Sequence, residues 1–236
     1  MTIDAATTVP NLRDLGGLPV GAGRTRRHIL YRSAVPLAED VPPPAVPVWP
    51  PRTVIDLRSP SELATRPHPL TSEHTSVHTI SLMSDEQVSR PYTGRDIGEL
   101  YREILAGAGP QLAEIVRVAA TAPAPILLHC AAGKDRTGIA VALLLRVAGV
   151  SNQDVVSDYL STNDHLTAVL RRLGKDTAPA GADHPSDRDR RGAVREAIEA
   201  VLDQWDSHAG GVVGWLTGHG LDAAVPAAWT ARFTGR

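Results

Sequence analysis

The chain has 236 residues, 42% hydrophobic and 21% charged, and its 24 basic and 26 acidic side chains leave a net charge of −2. That composition excludes a disordered or collagen-like chain. The charge balance argues against a bulk nucleic-acid binder or a polybasic membrane binder.

Met1 to Pro10 carries no basic run ahead of an apolar core, so no signal peptide is expected. Up to Val35 the chain offers short apolar pieces broken by Gly and Arg, with His28 to Ser33 reading as a strand. The prolines of residues 36–52 block regular helix and central strand, and this stretch reads as a surface connection, partly polyproline II. Thr53 to Arg58 is rich in β-branched residues and predicts a strand, and Val77 to Leu82 predicts another. Ile97, Leu100, Tyr101 and Ile104 place a helix over Asp96 to Ala106. Leu112, Ile115, Val116 and Ala119 place a second over Pro110 to Ala120.

Ile126 to His129 is a short apolar run after a turn and predicts a buried strand. A polar, Gly-containing loop runs from Cys130 to Arg136. Thr137 to Ala148 is then apolar nearly all round, as in a helix deep in a core. The apolar run Ile139 to Val150 is broken by Arg146 and falls short of the ~20 residues that cross a bilayer. The expectation is a soluble, cytoplasmic protein without stable membrane insertion, with export lacking a signal peptide left open. Ser151 is a good cap for a helix to Leu160, and Asn163 or Asp164 starts another to Leu173. Residues 174–187 read as a loop, residues 188–206 as a helix and Gly211 to Leu216 as a short helix. Early strands, late helices and a central strand–loop–helix predict an α/β domain.

The loop His129-Cys130-Ala131-Ala132-Gly133-Lys134-Asp135-Arg136-Thr137-Gly138 holds the chemistry. Backbone N–H groups at a helix N-terminus form a ready anion site, and small residues let successive N–H groups turn inward as a nest. Cys130 is the only cysteine, so it has no disulfide partner and no cysteine-rich zinc site to join. In this loop the helix dipole, the amides and the Arg136 guanidinium all favour thiolate over thiol. Arg136 offers a planar fork matched to two phosphoryl oxygens. Together they equip the loop for a cysteinyl-phosphate intermediate. A nucleoside-triphosphate loop would need Gly-x4-Gly-Lys-Ser/Thr, but Asp135 follows Gly133-Lys134 here.

This segment resembles the Cys-X5-Arg phosphatase superfamily, and the full ten-residue run resembles the bacterial atypical tyrosine/lipid phosphatases. Asn11-Leu12-Arg13-Asp14-Leu15-Gly16-Gly17, Tyr31-Arg32-Ser33, Asp56-Leu57-Arg58-Ser59, Asp158-Tyr159-Leu160 and Asn163-Asp164 resemble flanking segments of that family, so the likeness runs from residue 11 to about 222. Rhodanese-type sulfurtransferases, another family with a cysteine-started anion loop, have a different loop length and lack the Lys-Asp-Arg-Thr-Gly tail. The resemblance implies a phosphatase-like three-layer α/β fold, with a small, largely parallel central sheet and helices on both faces. It implies one phosphatase domain over residues 1–236, with residues 36–52 as a Pro-rich connection and 165–195 as a short lid or insertion. The proline cluster stands where the family usually has a helix. Residues 166–193 are short and rich in Gly and Pro where a mycobacterial member carries a long helical lid, so no extended two-helix lid is expected here.

The resemblance implies the following roles. Cys130 is the nucleophile. Ala131, Ala132, Gly133, Lys134 and Arg136 bind phosphate. His129 hydrogen-bonds near the loop, and Thr137 gives its hydroxyl to the leaving thiolate or caps the helix. A carboxylate inside an anion cradle repels phosphate unless it is protonated or turned away, which suits Asp135 to general acid work; Asp85, in the loop Ser84-Asp85-Glu86 after the Val77 to Leu82 strand, is the rival acid. Asp56 reads as a scaffold residue, and Arg13 and Asp14 as struts to the loop or to Arg58. Lys134 reads either as a solvated lysine or as a second cation for polyanions such as phosphoinositides. The expected substrate is a phosphorylated protein, phosphotyrosine first, with phosphoinositide or phosphoserine/threonine as alternatives and inorganic phosphate as product. No metal and no cofactor are expected. The reading from another class is an inactive phosphate-binding module.

Overall fold

The computed structural model describes residues 8–44, 46–90, 97–174 and 192–235. In the N-terminal part, β1 (Arg13–Asp14) is followed by a small hairpin of β2 (Pro19–Val20) and β3 (Gly23–Arg24). Next come β4 (Leu30–Ser33), β5 (Thr53–Asp56), the short helix α1 (Pro60–Thr65), β6 (Ser76–Thr79) and α2 (Asp85–Ser89). Two longer helices, α3 (Ile97–Gly107) and α4 (Gly109–Thr121), lead into β7 (Ile126–His129). The C-terminal part is helical: α5 (Asp135–Val147), α6 (Asn152–Leu160), a 3-10 turn (Ser161–His165), α7 (Leu166–Arg172), α8 (Arg195–Asp206), α9 (Gly211–Gly218) and α10 (Ala224–Thr234).

The central sheet has the order β1-β4-β7-β5-β6, antiparallel only at the β1 edge. This is an α/β fold with a mostly parallel sheet flanked by helices. Each β7 side chain is buried, because the strand has a neighbour on both sides and cover on both faces. The chain runs from β4 on one side of β7 to β5 on the other. That makes the carboxyl end of β7 a topological switch point, where ligands of open α/β sheets bind.

Alternation along the strands divides two cores. Leu30, Ile55, Ile126 and Leu128 face the large core with the helices, and α5 is buried around nearly its whole circumference. Tyr31, Val54 and Leu127 face a smaller core closed by Val9, Leu12, Val46, Leu70 and Trp49. The proline-rich stretch is thus more than a surface connection. Val46 is seated on the sheet, and Asp40 forms a two-bonded ion pair with Arg172 of α7. Its prolines exclude regular hydrogen-bonding patterns, but they still deliver apolar side chains to the core.

Several elements differ from the sequence reading. The helix expected from Thr137 starts at Asp135, so Asp135 and Arg136 lie in its first turn. Asp85 is not in a loop. It opens α2, whose Ser84 and Gln87 form a capping box. A 3-10 turn precedes α7 where Asn163 or Asp164 was expected to start a helix. The expected loop over 174–187 and most of the lid region 165–195 lie outside the described residues, and the helix expected over 188–206 is seen from Arg195.

The sequence reading misses α10. Its Trp229 and Phe233 are fully buried, with ring centroids 4.7 Å apart, and Trp229 Nε1 donates to Leu144 O of α5 at 2.8 Å. Trp229→Phe should cost about 1 kcal/mol by losing that hydrogen bond, and Trp229→Ala about 3–5 kcal/mol by also opening a cavity. Urea unfolding with unchanged slope checks both values.

Candidate active site

β7 ends at His129 and α5 starts at Asp135, so residues 130–134 bridge the central strand and the most buried helix. The loop is anchored through its carbonyls. Ala131 O accepts from Val35 N at 3.0 Å. Gly133 O accepts from Asn11 Nδ2 at 2.9 Å and from Arg32 Nη2 at 2.8 Å. Gly133 has φ +67°, and a Cβ there would lie 2.2 Å from Ser33 O, so only glycine fits. With these carbonyls turned to the scaffold, the amides of Ala131, Ala132 and Gly133 donate to no group among the described residues. Three such N–H groups ahead of a helix N-terminus make an anion cradle, with buried Cys130 at its start.

Arg136 closes the loop with its fork fixed. Nη1 and Nη2 donate to Glu62 Oε2 at 2.6 Å and Oε1 at 3.0 Å. Glu62 is also the third residue of α1, where it accepts from Ser59 N while Ser59 Oγ accepts from Glu62 N. One carboxylate therefore caps α1 and orients the loop arginine. Burial alone would raise the Glu62 pKa, but the Arg136 and Ser59 donors outweigh it and hold the carboxyl below its ordinary value.

Asp85 sits apart from this. It is exposed, and its Oδ1 accepts from Ser61 N in the first turn of α1 at 2.9 Å. The Ser61 donors lower its pKa, which favours the carboxylate over the proton-carrying form. The loop carboxylate is differently placed. Asp135 Oδ1 accepts from Tyr101 O–H at 3.0 Å and lies 3.5 Å from Lys134 Nζ, which itself donates to Gly192 O at 3.3 Å. Thr137 is not the helix cap, since Lys134 holds that position. The Thr137 hydroxyl is buried with no partner among the described residues.

His129 lies beneath the loop in a chain of hydrogen bonds. Leu70 N donates to His68 Nδ1 at 3.2 Å, which puts the His68 proton on Nε2. That proton faces His129 Nε2 at 2.9 Å, so His129 carries its own on Nδ1 and donates to Cys130 O at 3.1 Å. Burial pushes the pKa of both rings down, that of His68 to about 3, so both are neutral at pH 7. Asp56, His68 and His129 bring ligand atoms within 4.8 Å of one another, close enough for a metal. The partners argue for a different role. A ligating histidine donates its other N–H to an acceptor, whereas His68 Nδ1 accepts. Asp56 is already held by Arg58 through Nε at 3.0 Å and Nη2 at 2.7 Å. The cluster reads as a relay that supports the loop backbone.

The sequence profile of the tyrosine phosphatase family matches residues 5–235. This chain belongs to the tyrosine phosphatase family. A candidate tyrosine-protein phosphatase of Cupriavidus necator is 34% identical over 201 residues, covering 75% of this chain and 70% of that protein. A tyrosine-protein phosphatase of Nostoc commune is 33% identical over 178 residues, 71% of this chain and 60% of the relative. The triple specificity protein phosphatase PtpB of Mycobacterium tuberculosis is 42% identical over 69 residues, 29% of this chain and 25% of the relative.

In this tyrosine phosphatase the loop residues named from sequence come together in space, and Asp85 stands apart at the cap of α1. Asp14 braces neither the loop nor Arg58, whereas Arg13 reaches the loop through Asn11, whose Oδ1 accepts from Arg13 Nη1 while its Nδ2 holds Gly133 O. Arg13 pairs with Asp158, and Asp14 accepts from Gly16 N and His28 N. Glu62, His68 and Tyr101 were missed as site residues. Only Glu62 had a local signal, the Ser59-x-x-Glu62 capping pattern. Glu62→Gln should lower stability by about 2 kcal/mol at pH 7, the scale of hydrogen bonds to a charged group. Because the folded pKa is depressed below 4.5, that stabilisation is present above this value and fades as pH falls through the lower folded value. Urea unfolding at a series of pH values should show the variant and wild type converging progressively as pH falls below 4.5.

Proposed function

We propose that this protein hydrolyses phosphomonoesters, protein phosphotyrosine first, through a cysteinyl-phosphate intermediate. The observation that carries the reading is the anchored loop. Its carbonyls are tied to Asn11, Arg32 and Val35, the amides of Ala131, Ala132 and Gly133 have no acceptor among the described residues, and Arg136 is held in plane by Glu62. Such donors are fixed before substrate arrives and need little reorganisation when charge develops.

Cys130 Sγ attacks phosphorus in line as the bond to the leaving oxygen breaks. The amides of Ala131, Ala132, Gly133 and Lys134, with the Arg136 guanidinium, hold the equatorial oxygens. Asp135 gives its proton to the leaving oxygen. Water then attacks phosphorus with Asp135 as base, releasing inorganic phosphate, and the departing sulfur takes the Thr137 hydroxyl as hydrogen-bond donor. The buried Thr137 Oγ1, without a partner among the described residues, favours that part. Asp135 is preferred over Asp85 because it lies in the loop, whereas Asp85 is engaged by Ser61. His129 and His68 act through the Cys130 carbonyl rather than on the thiol.

The first test is turnover of phosphotyrosine peptides, phosphoserine peptides and phosphoinositides by the full chain. Phosphotyrosine should be the best substrate, vanadate should block it, and Cys130→Ser should abolish turnover while retaining phosphopeptide binding. Wild-type turnover by Cys130→Ser overturns the mechanism, and a phosphoinositide preference overturns the substrate assignment. Arg136→Lys keeps the charge but loses the fork and should lower kcat by ~10²-fold or more, measured with p-nitrophenyl phosphate.

A further inference from the structure

Tyr101 of α3 is buried, and its hydroxyl ends a directional chain of donors. Val194 N, which can only donate, lies 3.3 Å from Tyr159 Oη. The two phenol oxygens are 2.7 Å apart, and Tyr101 Oη is 3.0 Å from Asp135 Oδ1. A carboxylate can only accept, so Tyr101 gives its one proton to Asp135 and must accept from Tyr159. Tyr159 in turn accepts from Val194, so every proton in the chain is assigned.

The chain is built into the packing. Gly138 of the loop motif lets the Tyr159 ring sit against α5, since a Cβ there would lie 2.8 Å from it. Asn163 fixes the backbone that supplies Val194, accepting from Ala193 N at 2.6 Å and donating to Ala193 O at 3.2 Å. Burial, then the Asp135 charge, raises the pKa of both phenols, so they stay neutral donors. Among the described residues, the charged and titratable groups facing Asp135 are Lys134 from the loop, Tyr101 from α3 and Tyr159 from α6. Arg136 beside it is turned to Glu62. The Lys134 and Tyr101 contacts both fall on Oδ1.

We propose that Tyr101 is a positioning residue, holding the Asp135 carboxyl through Oδ1 so that Oδ2 is presented to the leaving group and then to the attacking water. The inference rests on the reading of Asp135 as general acid and base. Its test compares full-length wild type, Asp135→Asn, Tyr101→Phe and Tyr159→Phe on aryl phosphates from p-nitrophenyl phosphate to phenyl phosphate. Each is followed by kcat, KM and a thermal midpoint.

Asp135→Asn should steepen the dependence on leaving group. Tyr101→Phe should do so in part, with kcat falling ~10-fold on phenyl phosphate but much less on p-nitrophenyl phosphate, and KM nearly unchanged. Tyr159→Phe leaves Tyr101 its proton but removes the partner that aligns it, and should give a smaller change in the same directions, ~2- to 3-fold in kcat. This second variant also tests the inference if Tyr101→Phe does not fold. A wild-type leaving-group slope in the folded tyrosine variants, whatever their thermal midpoint, overturns the role of Tyr101 while the acid assignment stands. A wild-type slope in Asp135→Asn overturns the acid assignment and this inference with it.

Discussion

The carbonyl of Gly133 accepts two hydrogen bonds at once, from Asn11 and from Arg32, and the anion cradle depends on both. A peptide plane has two ends, and fixing the carbonyl outward leaves the flanking amides to face inward. Asn11 adopts a left-handed backbone conformation, φ 61°, to bring its amide into place. Arg32 is fully buried and is neutralised by Asp158, which also takes Arg13. Burial alone would raise the Asp158 pKa, but the two guanidiniums outweigh it and keep the carboxyl ionised below its ordinary range.

Glu62 applies a second constraint with the opposite sign. A carboxylate beside an anion site weakens long-range attraction for the ligand. It also keeps the Arg136 fork from being buried as an unpaired charge. The ion pair and the α1 capping box share the same side chain, so the angle of the arginine is tied to the start of a helix after β5. The histidine relay does comparable work under the loop, where neutral rings supply a donor to the Cys130 carbonyl without adding charge.

The sheet brings these parts together. β4, β7 and β5 are parallel neighbours, so their carboxyl ends open onto the same edge. The residues after them therefore converge: Ala34 and Val35, the Cys130 loop, and Leu57 to Ser59. The backbone bonds Val35 N to Ala131 O and Leu57 N to His129 O mark that meeting. The smaller core on the opposite face, closed in part by the proline-rich stretch, buries the β7 side chains that the large helical core does not reach.

By itself the sequence determined the contiguous part of the site. A buried strand, a small-residue loop and an apolar helix are set by local composition, and Cys130 and Arg136 are spaced within one loop, so their chemistry is legible without coordinates. The order of most elements follows from periodicity for the same reason. Tertiary structure alone decided which distant side chains complete the loop. Arg136 and Glu62 are 74 residues apart, Tyr101 and Asp135 are 34 apart, and Asn11 and Gly133 are 122 apart, so strand order and helix packing determine whether they meet. The acid assignment shows the difference most plainly. In the sequence Asp85 and Asp135 are both carboxylates near plausible turns. Folding sets Asp85 on the exposed cap of α1 and gives Asp135 a buried phenol donor at the mouth of the cradle.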